Sequence, residues 1–490
     1  MEAMDACLSN GWVEEVNYGS GQTGKFWNLP HHAVFREDKT TTKCRVVFDG
    51  SVRYEGQSLN DHLEPGPALQ TDLIGILLRF RRYRFVLQAD ISKMFMQIGL
   101  HEDDRDVTRY LWRNMNTDIP PGIFRFKRLT FGLRSSPFVA VMVVQRHARL
   151  RVQTYKRAAE VLSSMYVDDF LSSCTDSDEA EQLVDQLRKL MQLGGFNLTQ
   201  WKCNSSSVAE AIGVTDVKGN NDKIVSKILG VPWNLGQDAL SFVTPHDAVS
   251  KSCETKRDYF GSGWDESIPD VLNAKWNRWK QGLHMLPQLL VQRTLIPVDI
   301  HVVSSVELHA FADASDKAYG AVVHMKAETV SANNFVNMVI AKSHVAPLKK
   351  ITLPRLELTV ALVAARLVCY VKREIEMTVD RVNRVQEIQT LVDSANWYYC
   401  AGKDNPADLL SRGTTIENLK SNSYWWHEPA WLKMPEGFWP KDDKMSELTD
   451  VHPQTVKREG RRKIVGWLET EAEQNSDEQY GTVVLNVCYE

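Results

Sequence analysis

Met165-Tyr166-Val167-Asp168-Asp169-Phe170-Leu171 is the stretch on which the reading turns. Two carboxylates stand side by side between apolar neighbours. Aspartate is common in hairpin turns, and a bare Asp-Asp pair asks for no more than that. The flanks change the balance. Half-buried like charges repel each other and lose hydration, so they call for a counter-charge, which a divalent cation supplies. A third carboxylate, Asp90, ends the apolar run FVLQAD (85–90), and ISKMFMQI follows it. Two strands brought into one sheet would hold Asp90, Asp168 and Asp169 around a metal pair. Phosphoryl transfer uses such a pair, one ion on the attacking hydroxyl and one on the triphosphate and leaving oxygen. Magnesium prefers carboxylate, phosphate and water oxygens, and no histidine cluster competes for the site.

The surrounding composition is compatible with an intracellular enzyme. At 490 residues the chain exceeds one ordinary domain, and ~150 residues per domain suggests about three. The hydrophobic share of 43% and charged share of 24% are those of a globular protein. No run of eighteen apolar residues announces a membrane helix, and MEAMDACLSNGWVEEV is not a secretory signal. The expected location is therefore the cytoplasm, including virus-like particles, or the nucleus. Eight scattered cysteines form no CxxC pair, which fits reduced thiols rather than a zinc or redox motif. The net charge of -4 argues mildly against a nucleic-acid binder. Its distribution argues the other way. Arg79, Arg81, Arg82 and Arg84 crowd into LLRFRRYRF with interleaved aromatics, and Arg146, Arg149, Arg151, Lys156 and Arg157 follow. Phosphate neutralisation with base stacking and a solvated helix face with snorkelling stems explain the first cluster equally well.

Residues 44–50 and 85–90 read as strands, and 72–82 has apolar residues at helical spacing. Residues 176–193 read as an amphipathic helix capped by Asp176 or Ser177 and ended by Gly194-Gly195. In 264–286 the pattern is helical, with Trp276 and Trp279 one turn apart. From 306 the order becomes strand, strand and a long helix over LPRLELTVALVAARLVCYVKREI. The expected organisation is a lead-in (1–24), a first catalytic region (25–235), a connecting remnant (236–300), a second α/β domain (301–413) and a Trp-rich, charged extension (414–490).

The strings LPHHAVF, TKCRVVFDGS, SLNDHL, ADISKMFMQI, FGLRSSPFVA, YVDDF, GGFNLTQWKCN and ILGVPWN occur in this order over most of 28–235. Together they resemble the reverse transcriptase of BEL/Pao-type long-terminal-repeat retrotransposons. The resemblance implies an α+β fold, with right-hand fingers and palm followed by an α/β ribonuclease H-like domain. It implies RNA-directed DNA synthesis on a template-primer duplex from deoxynucleoside triphosphates, with two Mg2+ ions for which Mn2+ can stand in. It makes Asp90, Asp168 and Asp169 the metal-binding triad, with Asp169 the more peripheral. Phe95 would gate against a 2′-hydroxyl, a position that ordinary core packing would otherwise explain. Arg45, assisted by Lys43, would contact the triphosphate, since a planar guanidinium suits phosphate oxygens. Phe131 and Gly132 would line the nucleotide, and Lys202 is a candidate proton donor to pyrophosphate.

The same resemblance extends to FADASDKAYGAVV, LPRLELTVAL and NPADLLSRG, whose Asp313, Glu357 and Asp408 match ribonuclease H acids. A fourth acid is expected in an Asp-Ser unit, but the chain runs straight through NRVQEIQ to the last motif. The join at Val382-Asn383 therefore looks like a deletion that removes a ligand and a neighbouring sheet element. Asp393-Ser394 lies in the wrong register to replace them. A second gap is expected near 250–262, shortening the thumb or connection. These gaps imply impaired ribonuclease H activity and a fragment or decayed copy. The competing reading is an inactive retroelement remnant, or a nucleic-acid-binding protein that keeps the fold.

Overall fold

The computed structural model describes residues 2–17, 19, 24–35, 44–214, 225–244, 270–347, 349, 351–379, 381–383, 400, 402–427, 429–434 and 439. Lys43, Asp393 and both expected deletion neighbourhoods, apart from 379 and 381–383, lie outside them. The chain forms two compact units: residues 1–76 with 85–220, and residues 77–84 with 221–490.

The first unit opens with α1 (Glu2–Ser9), β1 (Val13–Val16), β2 (His31–Phe35) and β3 (Cys44–Phe48). Helix α2 (Leu73–Arg82) passes from this unit into the second at residue 77. Then come β4 (Phe85–Ile91), α3 (Met94–Gln97), α4 (Glu102–Arg105), β5 (Arg109–Trp112) and β6 (Gly122–Phe126). Helices α5 (Ser136–Arg149) and α6 (Lys156–Leu162), β7 (Asp169–Cys174), α7 (Ser177–Leu193), β8 (Leu198–Cys203) and α8 (Ser206–Ala211) complete it. β4 is the centre of an antiparallel sheet ordered β7-β4-β8. Val86, Leu87, Ala89 and Ile91 on it are all buried, and Leu87, Ala89 and Ile91, on one face, feed a core shared with α5, α6 and α7. In α7 the buried Leu183, Val184, Leu187, Leu190 and Met191 recur at helical spacing. Asp176 caps that helix, accepting from the Glu179 amide at 2.7 Å, and Gly195 at φ +75° ends it. A smaller core joins the β2-β3 hairpin to the sheet β1-β6-β5 through Leu29, Phe48, Tyr110 and Phe126. The His31 ring packs among Phe48, Tyr110 and Trp112, and burial depresses its proton affinity.

The second unit contains β9 (Val225–Ile228), β10 (Val231–Asn234), β11 (Ala239–Leu240), α9 (Asp270–Leu283) and β12 (Val291–Gln292). The four strands β9 to β12 form one antiparallel sheet. Trp276 and Trp279 on α9 stack at 4.8 Å, as their spacing predicts. Next come the long strands β13 (Val303–Ala314), β14 (Ala318–Thr329) and β15 (Asn334–Val345), then α10 (Leu353–Glu374) and β16 (Arg381–Asn383). Short helices α11 (Asp408–Arg412), α12 (Ile416–Ser421) and α13 (Ser423–His427) close the described chain. The sheet order is β15-β14-β13-β16, with β16 parallel to β13. This corrects one expectation: the sheet keeps a strand at the suspected join, because three residues suffice to pair Glu307, Leu308 and His309 with 381–383.

Three arginines of the basic cluster are engaged within the second unit: Arg79 and Arg82 are buried and Arg81 is half-buried, while Arg84 is exposed. Arg79 pairs with Glu374 at 3.0 Å, and Arg82 donates to the carbonyls of Ile375 and Glu376. Arg81 donates to the carbonyls of Arg293, Met338 and Val339, and burial lowers its proton affinity to about 10. Residues 77–84 are thus an integral part of the second unit. Among the described residues, no helix is long and apolar enough to cross a membrane.

Candidate active site

Strand pairing brings the three acids to one place. β4 and β7 run antiparallel with Asp90 opposite Asp169, and the Ile91 amide donates to the Asp168 carbonyl at 3.1 Å. Asp168 sits in a two-residue turn between β7 and Tyr166. Tyr166 and Asp169 exchange backbone hydrogen bonds of 3.2 and 3.0 Å across it. Val167 occupies the other turn position at φ +54°. A β-branched residue is strained there, so the turn is held by its surroundings: Met165 and Phe170 are buried on either side.

Electrostatics report the crowding. Burial first, then the charges of Asp168 and Asp169, raise the Asp90 carboxyl to about 6. Burial and Asp168 raise Asp169 to about 6, against the opposing pull of Lys202. Lys202 therefore belongs to this corner, on β8 opposite Gln88. A carboxylate set that resists ionisation for want of a counter-charge suits a hard divalent cation in donor chemistry. In geometry, among the described residues, no group of three or more His, Cys, Asp or Glu side chains is placed to hold a metal ion. The electrostatic coupling is the better guide to donor type, because it is felt at ranges beyond a direct metal–oxygen bond.

The other predicted residues of the first unit that the structure describes lie on α3, on β3 and in the loop after β6. Phe95 is buried at the start of α3, with its ring 4.3 Å from that of the half-exposed Phe131. Gly132, at φ +89°, is required, since a Cβ there would stand 1.7 Å from the Phe48 carbonyl oxygen. Arg45 lies on the exposed face of β3, in register with Val34. Sequence reading quoted Asn60 only within a string. The fold makes it the tie of the Gly132 loop: its side-chain amide donates to the Gly132 carbonyl at 3.2 Å and its Oδ1 accepts from the Arg134 amide at 2.8 Å.

In the second unit, Asp313 ends β13 and Asp408 opens α11. The Ser411 hydroxyl donates to Asp313. Burial raises the Asp408 carboxyl, Arg412 opposes that rise, and Asp313 adds to it, so these two acids are neighbours. Arg412 Nε lies 2.7 Å from Asp408 Oδ1. Glu357 stands exposed on α10. Asp313, Lys317, Leu353, Ser411 and Arg412 line a cleft of about 580 Å3.

Residues 30–233 match the family model of reverse transcriptase (RNA-dependent DNA polymerase). Residues 237–387 match that of the Pao retrotransposon-like RNaseH-like domain, which begins well before the 301 expected from sequence. Among solved structures, the chain is similar to a foamy viral protease-reverse transcriptase dRH in complex with double-stranded DNA. The identity is 15%, the TM-score 0.50, and the match covers 81% of this chain and 65% of that one. The same viral protein with an RNA/DNA hybrid gives 14% identity and a TM-score of 0.47 over 80% and 50% of the two chains. At such identities the likeness is one of fold, and the chain spans about 65% of the length of the first structure. The chain thus carries a reverse transcriptase domain followed by a Pao retrotransposon-like RNaseH-like domain.

Proposed function

We propose that this chain is an RNA-directed DNA polymerase that extends a primer on an RNA or DNA template from deoxynucleoside triphosphates. The observation that carries the reading is the pairing of Asp90 with Asp169 across β4 and β7, with Asp168 in the turn just before β7 and the carboxyls of Asp90 and Asp169 pushed up to about 6. Asp90 and Asp168, with Asp169 at the margin, would hold two Mg2+ ions, or Mn2+ in their place. When bound, the ions supply activation of the primer 3′-hydroxyl and neutralisation of the triphosphate. Phe95, wedged against Phe131, offers a flat apolar wall that a deoxyribose clears and a 2′-hydroxyl does not. Gly132 keeps the adjoining backbone close enough for the loop to serve as a floor. Arg45, from its exposed strand, and Lys43 suit the triphosphate oxygens. Lys202 is charged, close to Asp169, and suited to protonating the leaving pyrophosphate.

We read the nuclease centre as impaired. Arg412 and Ser411 already engage Asp408 and Asp313, so the chain's own groups occupy oxygens that a metal would need. That no such group of side chains is placed to hold a metal ion among the described residues favours a second reading, a duplex-binding protein without chemistry. Extension of a primed RNA template in Mg2+ separates the two. The polymerase reading requires extension by the native chain and a loss on the order of 10²–10³-fold in Asp168→Asn; absence of extension by either leaves the binding reading. The site of action is proposed to be the cytoplasm or nucleus, where such templates and triphosphates occur.

A further inference from the structure

β8 departs from regular pairing beside Asp90: Gln88 faces Lys202 and Asp90 faces Thr199, so two residues, Gln200 and Trp201, stand opposite Ala89 alone. Such a bulge re-aims a side chain beside a functional site. Here it puts Gln200 at φ +53°, a left-handed conformation that glycine adopts freely and glutamine rarely. The consequence is a contact across the sheet: Gln200 Nε2 donates to Asp90 Oδ2 at 3.2 Å. Thr199 Oγ1 approaches the Asp90 carbonyl oxygen at 3.5 Å from the same edge.

We propose that Gln200 is a positioning residue for the polymerase centre, its amide holding the Asp90 carboxylate in the orientation that receives the cation. The inference rests on the polymerase reading of Asp90, Asp168 and Asp169. An amide donor favours the ionised carboxylate and limits its rotation about χ2. Partners of this kind behind metal-binding groups change metal affinity by ~10–100-fold, and an exposed donor belongs at the lower end.

The test compares native chain, Gln200→Met and Gln200→Gly. The methionine has the same reach but no donor. The glycine removes the donor and relieves the backbone at the bulge. Mn2+ binding is read from the electron paramagnetic resonance signal of free Mn2+, with the Tm of metal-free protein and steady-state primer extension alongside. Both variants should bind Mn2+ about tenfold more weakly than the native chain, with Gln200→Gly at least as thermostable. At limiting metal kcat should fall, with KM for the deoxynucleotide little changed. Equal Mn2+ binding by all three proteins overturns the inference and leaves the polymerase reading standing. Native-like binding by Gln200→Gly alone also overturns it, because the cause would then be methionine bulk. A native chain that binds no Mn2+ overturns both.

Discussion

Arg293 offers the sharpest test of how the second unit is held together. Its side chain is 0% exposed, and every one of its guanidinium donors is used. Nε and Nη2 clasp Asp238 at 2.7 and 2.8 Å, Nη1 reaches the carbonyls of Phe80 and Tyr83 at 2.7 and 2.9 Å, and Nη2 reaches that of Arg84 at 2.7 Å. Asp238 also accepts from the indole of the buried Trp233 at 3.0 Å, and that indole meets Phe80 edge-on. Arg293→Met strands a largely buried carboxylate, which costs ~3–5 kcal/mol. The helix-end carbonyls it leaves add ~1 kcal/mol each where water does not replace the donor. A total of about 5 kcal/mol rivals the whole stability of a small domain. Because the chain has two units, one global unfolding curve is a poor measure, and hydrogen exchange followed by mass spectrometry on peptides covering 77–84 and 231–240 is the suitable assay. Protection there should fall by at least three orders of magnitude, at ~1.4 kcal/mol per tenfold. Adding Asp238→Asn to Arg293→Met should restore part of it, since the stranded charge is gone while the carbonyls remain unmet. Protection that drops by less than about tenfold in the single variant refutes the reasoning.

Asp90→Asn, Asp168→Asn and Asp169→Asn should each reduce primer extension, by on the order of 10²–10³ for the first two, the scale of losing one preorganised electrostatic group, and by less for the peripheral Asp169. The pH response should differ between the units. Asp90 and Asp169 titrate near 6 when folded, above their ordinary 3.8. Their contribution is therefore present below about 4 and lost as pH rises through about 6. Calorimetry in EDTA should show the first unit losing stability over that window, and Mg2+ should abolish the loss. His324, fully buried with Nε2 3.0 Å from the Trp425 carbonyl oxygen, is lowered to about 4 from 6.5. Its contribution is present above 6.5 and lost as pH falls toward 4, so His324→Leu should flatten the acid limb of the second unit. Gly132→Ala forces a Cβ to within 1.7 Å of the Phe48 oxygen at φ +89°; a loss of at least ~1–3 kcal/mol and reduced extension should appear in melting and primer assays. The purified chain should degrade the RNA of a hybrid far more slowly than an intact homologous domain, a comparison that equal rates would defeat.

What was legible in the sequence follows from range. That Asp90 would meet Asp168 and Asp169 was legible because apolar flanks on both segments mark strands that pair in one sheet. The α7 cap was local too, with Asp176 bonding a residue three places on. The arginines of α2 were opaque for the opposite reason. A basic helix end with interleaved aromatics looks the same whether it meets phosphates or carbonyls, and Arg81 finds its partners at 293, 338 and 339. Gln200 was hidden because a bulge is a property of register between strands, and no single strand records it. The suspected join at 382–383 misled on structure because a deletion can remove many residues and still leave three that pair.

These long-range arginine contacts hold the second unit independently of the acids proposed for its nuclease centre. Arg79, Arg81, Arg82 and Arg293 bond to Glu374, to Asp238 and to main-chain carbonyls, and none of these bonds involves Asp313, Glu357 or Asp408. The segment they fix, 77–84, runs directly into β4, the strand that carries Asp90. Loss of a nuclease acid leaves that segment's partners in place. Loss of the unit's fold would strip four guanidinium groups of their acceptors at once, each a buried donor set whose exposure or isolation is costly. The bonds that fix 77–84 are therefore separate from the three acids proposed for the nuclease centre. Chains with Asp313→Asn and Asp408→Asn should keep native protection over 77–84 and full primer extension, and a collapse of either would show that the two roles are not separable.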